Sequence, residues 1–113
     1  MSIEDWSDDI TILGLSDEPA FSEDMASLMQ RLDEQGDMVP DVIINLAGVS
    51  YLNSSNIAQM LRLRKRLTTA GRHMRICAVD DQVWGVLMIT GLDKIFDFTD
   101  DVTTALASLQ LTE

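Results

Sequence analysis

Residues 42–46 read Val-Ile-Ile-Asn-Leu and are followed by Ala47 and Gly48. The run is short, apolar and rich in β-branched side chains, so it predicts a strand rather than a helix. Its apolar side chains fall on both faces of the pleat, and both faces must therefore be covered. That is the condition of a central strand in a parallel sheet. A chain built around such a strand is committed to a layered α/β arrangement, with helices before and after it.

The flanking sequence supplies them. Residues 10–15, Ile-Thr-Ile-Leu-Gly-Leu, predict a strand, and Ile3 and Trp6 suggest a weaker one before it with Ser7-Asp8-Asp9 as the turn. Pro19 breaks the chain, and Ser22 is the expected cap of a helix with Glu23 and Asp24 in its first turn. Met25, Leu28, Met29 and Leu32 then recur at helical spacing, and Gly36 is the expected terminator.

After residue 46, residues 48–52 predict a loop and Asn53-Ser54-Ser55-Asn56 opens the next helix. Its apolar side holds Ile57, Met60, Leu61, Leu63, Leu67 and Ala70, with Arg62, Lys65, Arg66 and Thr69 opposite, and Gly71 ends it. Residues 74–79 predict a strand. Asp80 or Asp81 caps a helix through Val83, Trp84, Leu87 and Met88, closed by Gly91. Residues 95–98 predict a short strand, and Thr99 or Asp100 caps a last helix through Val102, Ala105, Leu106 and Leu109. The order βαβαβαβα specifies an α/β fold with a largely parallel central sheet flanked by helices, and 113 residues suit a single domain over 1–113. In such sheets function gathers in the loops beyond the strand C-terminal ends. The loop after Leu46, leading into Asn53, is the first place to look.

Charge narrows the partners. The net charge of −11 argues against nucleic acid, whose phosphates need Lys and Arg. Yet residues 62–75 hold six of the eight basic residues and no acid, so one segment is locally cationic. This is either the solvated face of a helix and its loop or a docking surface for an acidic partner or a nucleotide. No apolar run reaches membrane-spanning length, and the N-terminus lacks both a basic and an apolar signal region, so a cytoplasmic protein with no membrane insertion is expected. A lone Cys77 and a lone His73 cannot build a structural zinc site, and no cofactor is expected. A Ser-His-Asp triad could formally use Ser54, His73 and an aspartate, but there is no Gly-x-Ser-x-Gly elbow. No Gly-rich phosphate loop is present either. An enzyme is not expected.

Asn53-Ser54-Ser55-Asn56 carries the remaining interest. Asn and Ser are favoured N-caps, and one of them must satisfy the orphan amides of the helix start. A phosphate on Ser54 would also be tolerated there. It would bring about −1.5 to −2 charges to the positive end of a helix dipole, worth roughly 0.3–1 kcal/mol.

Residues 42–109 resemble the STAS domain family, the sulfate transporter and anti-sigma factor antagonist domains. Val42-Ile43-Ile44-Asn45-Leu46-Ala47-Gly48-Val49 is similar to the family's central strand. Tyr51-Leu52-Asn53-Ser54-Ser55-Asn56 resembles its aromatic-apolar-Asp-Ser-Ser/Thr-Gly motif, with Asn53 in the place of Asp and Asn56 in the place of Gly. Residues 67–79 resemble the family's second helix, Gly and third strand. Leu87-Met88-Ile89-Thr90-Gly91-Leu92-Asp93-Lys94-Ile95-Phe96 resembles its Leu-x-x-x-Gly-Leu-x-x-x-Phe segment, and residues 101–106 the start of its final helix. The first 41 residues match only in pattern.

The resemblance, to the stand-alone anti-sigma factor antagonist type, implies a non-enzymatic partner switch. An anti-sigma factor that is also an ATP-binding serine kinase would bind the unmodified form, phosphorylate Ser54 (alternatively Ser55) and release it, and a phosphatase would reset it. Asn53, Ser55 and Asn56 would contact the partner, and the basic face of Arg62, Lys65 and Arg66 would meet its acidic residues. The alternatives are an unphosphorylated scaffold or accessory subunit of a membrane transport complex and, more remotely, a small α/β enzyme.

Overall fold

The computed structural model describes residues 3–111. Five strands form one sheet in the order β1-β2-β3-β4-β5. β1 (Ile3–Ser7) and β2 (Ile10–Ser16) make an antiparallel hairpin through the turn at Asp8 and Asp9. β3 (Asp41–Gly48) pairs parallel with β2, β4 (Met74–Cys77) parallel with β3, and β5 (Phe98–Thr99) parallel with β4. The strand read first in the sequence is thus the middle of the sheet. Val42, Ile43, Ile44 and Leu46 are completely buried.

The pleat sends those side chains to two different cores. Val42, Ile44 and Leu46 join the larger one, built with Phe21, Met25, Leu28 and Leu32 of α1 (Ala20–Gln35), Met60, Leu63 and Leu67 of α2 (Ser54–Thr69), and Val83 and Leu87 of α3 (Asp81–Ile89). Ile43 points the other way. It meets Ile10, Ile12 and Cys77, and Ala105 and Leu109 of α4 (Val102–Leu111). Among the described residues, α4 covers that face of the parallel strands, while α1, α2 and α3 cover the opposite one. The architecture is mixed α/β with a mostly parallel sheet, as the alternation of periods predicts.

Five local expectations are corrected. Ser22 does not cap α1. The helix starts after Pro19, which has no side-chain acceptor to offer, and the Glu18 carboxylate takes the role by accepting from the Ser22 amide at 2.8 Å and from its hydroxyl. β4 stops at Cys77 rather than at Val79, because Ala78 adopts a left-handed φ of 59° that ends the extended run. The strand expected at 95–98 is confined to Phe98–Thr99, since a 3₁₀ turn at Leu92–Lys94 and the Ile95 amide bonding back to Leu92 still hold the chain coiled before it. The last helix is capped one residue later than expected, with Asp101 accepting from the Thr104 amide at 2.8 Å. Leu61, placed on the apolar side of α2, is 37% exposed, because it lies off the Met60–Leu63–Leu67 line that faces the sheet.

The other helix starts and ends follow the sequence. Asp80 caps α3 by accepting from the Val83 amide. Gly36, Gly71 and Gly91 all take positive φ just past their helices, where a Cβ would be strained.

Candidate functional site

Parallel pairing of β2 and β3 brings the loops after them to the same end of the sheet. There the α2 N-terminus is assembled from three segments. Asn53 is the N-cap, in an extended conformation, and its Oδ1 accepts from the Asn56 amide at 2.8 Å. Asn56 Oδ1 accepts in return from the Asn53 amide at 3.1 Å, closing a capping box made of two asparagines. Asn56 is only 1% exposed, and its Nδ2 donates to the Glu18 carboxylate at 3.0 Å. Asn56 was expected at the partner surface. It points inward instead and joins the start of α2 to the loop before α1.

Asp17 makes the companion link. Its carboxylate accepts from the Ser50 amide at 2.8 Å and the Ser50 hydroxyl at 2.6 Å. The Ser50 hydroxyl, then its amide, hold the Asp17 carboxyl below its usual range, with a smaller contribution from the Tyr51 amide. The Ser22 hydroxyl and amide do the same for Glu18, assisted by Asn56. Two adjacent carboxylates therefore tie the β2–α1 loop to the β3–α2 loop and the helix start. Gly48 permits the approach, because a Cβ there would sit 2.9 Å from the Leu15 carbonyl oxygen.

Asp17 and Glu18 had no role in the sequence reading. The signal available was topological. Acidic residues right after one parallel strand lie beside the loop right after the next, where amide donors are oriented.

Against this frame of paired polar groups, Ser54 stands apart. It is the first residue of α2, exposed, and its hydroxyl has no hydrogen-bond partner among the described residues. The cap that a serine could have supplied comes entirely from Asn53 and Asn56. Ser55 is also exposed, with a long 3.3 Å contact from Gln59 Nε2, which bonds the Ser22 hydroxyl more closely at 2.9 Å. The amide of Gln59 is held by that donor side only, since its Oε1 is buried without a partner.

The cationic segment 62–75 separates into two groups. Arg72 Nε lies 3.2 Å from Asp41 Oδ1, while Arg72 Nη2 donates to the Asp9 carbonyl and the His73 amide donates to Asp41. Arg75 reaches Asp97 and Ser108. Arg66 donates to the Leu32 and Gly36 carbonyls at the C-terminal end of α1, where a cation is favoured. These residues tie the opposite end of the sheet and helix layer together. Arg62, Arg64 and Lys65 are exposed, and among the described residues none has a carboxylate within 4 Å. Of this segment, the second group is the cationic surface left free among the described residues.

A hydrolytic triad does not form. Ser54 and His73 stand at opposite ends of α2, whose 16 residues span about 24 Å. Among the described residues, no three His, Cys, Asp or Glu side chains converge to hold a metal ion, and no helix is long and apolar enough to cross a membrane.

Comparison with known proteins agrees with this geometry. The family model for the STAS domain matches residues 6–105. Among solved structures, an anti-sigma-factor antagonist (STAS) domain protein from Planctomyces limnophilus superposes with a TM-score of 0.76 at 19% identity, covering 89% of this chain and 91% of that one. The anti-sigma factor antagonist SpoIIAA in its unphosphorylated form gives 0.79 at 18% identity, over 96% and 94%. The Bacillus cell fate determinant SpoIIAA in its phosphorylated form gives 0.71 at 15% identity, over 94% and 96%. At such identities the likeness is one of fold.

Proposed function

The chain belongs to the STAS domain family, and from that premise we propose that it is an anti-sigma factor antagonist-like signalling module, switched by phosphorylation of Ser54. Its partner is an anti-sigma factor that is also an ATP-binding serine kinase, and it acts in the cytoplasm without catalysing a reaction of its own. Unmodified, it binds this partner through the exposed α2 N-terminus. Phosphorylated, it lets go, and a phosphatase restores it.

The observation that carries this reading is the spare hydroxyl. Ser54 is exposed at the first position of α2 while Asn53 and Asn56 already satisfy the helix start. A phosphate can therefore be added without removing any bond the fold uses. The dipole of the helix favours a phosphate at its start by roughly 0.3–1 kcal/mol. The modification thus changes the surface and leaves the scaffold in place.

The size of the switch is physically modest. A hundredfold loss of partner affinity requires about 2.7 kcal/mol. Enclosing an unpaired phosphate in an interface readily exceeds that. Asn53 and Ser55 flank Ser54 on the exposed surface and belong to the same contact. Asn56 acts from beneath, by holding the cap.

The test is a pull-down from source lysate with ADP and then ATP, followed by mass analysis of bait and partners. An ATP-binding kinase retained with ADP and released with ATP, as Ser54 gains a phosphate, is the expected result. Retention of no kinase with Ser54 unmodified would reject the switch and leave a STAS scaffold or transport accessory as the reading.

A further inference from the structure

We propose that the groove between α1 and α2 is the docking site for an acidic amphipathic helix of a partner protein. The proposal rests on the reading of α2 as a partner-facing helix, and extends it from the Ser54 end of α2 along the rest of its length.

Two depressions adjoin between these helices. One, of about 130 Å³, is lined by Ser22, Met25, Ala26, Met29, Gln59 and Arg62. The other, of about 430 Å³, is lined by Met29, Arg62, Lys65, Arg66 and Thr69. Met29 and Arg62 belong to both, so the two form one trough. Along α2 it runs from Gln59 to Thr69, about 15 Å, the length of roughly ten residues of a facing helix. Its wider part is mostly apolar, made of Met29 and the aliphatic stems of Arg62, Lys65 and Arg66. Methionine adapts to different apolar partners, which suits a docking floor.

Charge specifies the occupant. Arg62 and Lys65 stand at i and i+3, so two like charges repel one another on this face, while Arg66 beside them is turned to the carbonyls at the end of α1. The chain has 19 carboxylates, yet among the described residues none lies within 4 Å of Arg62 or Lys65. An acidic segment would relieve this repulsion, and its apolar side would fill the trough. The net charge of −11 does not oppose this, since charges beyond about 8–10 Å are largely screened at physiological salt. It does oppose an anionic membrane. Lipid-binding clusters gather four to eight cations, whereas this face has three on an otherwise acidic protein.

The test uses the full chain with ¹³C-labelled methionine methyls, without nucleotide or kinase, so it is independent of Ser54 phosphorylation. The probe is a synthetic helix of about 15 residues, leucines on one face and glutamates on the other, beside a scrambled peptide of identical composition. The patterned peptide is expected to shift the Met29 methyl while leaving Met88, exposed on α3, in place. The double variant Arg62→Glu with Lys65→Glu should weaken its binding at least tenfold, about 1.4 kcal/mol. Ala26→Trp, filling the smaller depression, should weaken it as well. Unchanged remaining methionine signals would show that both variants fold.

Any of four outcomes overturns the proposal. The scrambled peptide could bind equally well, or the shifts could appear at Met88 instead. Phosphatidylserine vesicles could bind where the patterned peptide does not. The Met29 signal could move with protein concentration alone, which would make the occupant a second copy of this chain. A kinase captured with ADP but no response to the peptide would reject the groove and keep the Ser54 switch.

Discussion

Asn53→Ala and Ser54→Ala, compared side by side, separate the residue that holds the helix from the residue left over for modification. Asn53 accepts from the Asn56 amide at 2.8 Å, and losing an asparagine N-cap costs about 1 kcal/mol within a range of roughly 0.5–2. Ser54 contributes no such bond, and alanine is the better helix former, so Ser54→Ala should change stability by no more than about 0.5 kcal/mol. Unfolding entropy of about 2.1 cal/mol/K per residue over 113 residues gives about 0.24 kcal/mol/K. Asn53→Ala is therefore expected to lower Tm by about 4 °C and Ser54→Ala to move it by less than about 2 °C. Asn56→Ala should cost more than Asn53→Ala, because it strips the Asn53 amide of its acceptor and empties a buried site that also bonds Glu18. The assay is thermal unfolding by circular dichroism, with urea titrations to show that the m-value is unchanged. A loss for Ser54→Ala as large as for Asn53→Ala would refute the reasoning. It would make the hydroxyl structural, and its phosphorylation a disruption of the fold.

Further consequences can be measured in the same preparations. Gly48→Ala should destabilise by about 1–3 kcal/mol in urea, because the new Cβ would stand 2.9 Å from the Leu15 carbonyl and something must move; an unchanged midpoint would show that this approach is not tight. Asp17 and Glu18 have folded-state pKa values below their ordinary 3.8 and 4.5. Their contribution is complete above those ordinary values and is lost as pH falls through the depressed ones, so below about pH 4.5 the combined variant Asp17→Asn with Glu18→Gln should show a shallower fall of the urea midpoint than the wild type; parallel curves would contradict the assignment. Burial, with a smaller effect from Asp101, pushes the Cys77 thiol up to about 11. A disulfide reagent at pH 8 should therefore label it only as the protein opens, and prompt stoichiometric labelling of the folded protein would argue against that burial.

The elements themselves were legible because their signals are local. The two-faced strand at 42–46 and the Met25, Leu28, Met29, Leu32 stripe each follow from a handful of neighbouring residues, and both turned out buried apart from Met29, which is only partly covered, and Asn45 in the strand. The start of α2 within residues 53–56 and of α3 at Asp80 or Asp81 were equally readable, since an N-cap bonds an amide three residues away, and the caps proved to be Asn53 and Asp80. Where the local pattern misled, a competing local geometry was the cause. Serine at position 22 satisfies the preference for an N-cap, but Pro19 started the helix earlier and Glu18 took the amide. Leu61 satisfies apolarity, but its angle on α2 carries it off the buried line.

The candidate site was legible only in part. Ser54 and Ser55 could be singled out from the sequence and its family resemblance, and they lie at the exposed helix start. The direction of Asn56 could not, because it is set by Glu18, 38 residues earlier in the chain. Nor could the sorting of the basic segment. Sequence spacing makes Arg62, Arg64, Lys65, Arg66, Arg72 and Arg75 one positive stretch. Which of them is engaged depends on where Asp41, Asp97 and the end of α1 arrive in space.

The division has a simple physical origin. Helix and strand periods, caps and turns are decided by steric and hydrogen-bonding choices within about four residues, so the amino-acid order alone determined that this chain alternates strands and helices about a doubly buried β3. Long-range polar pairing is decided only when the sheet order brings distant loops together. Folding alone therefore set Asp17 against Ser50 and Glu18 against Asn56, and left Ser54, Arg62 and Lys65 facing outward without partners among the described residues.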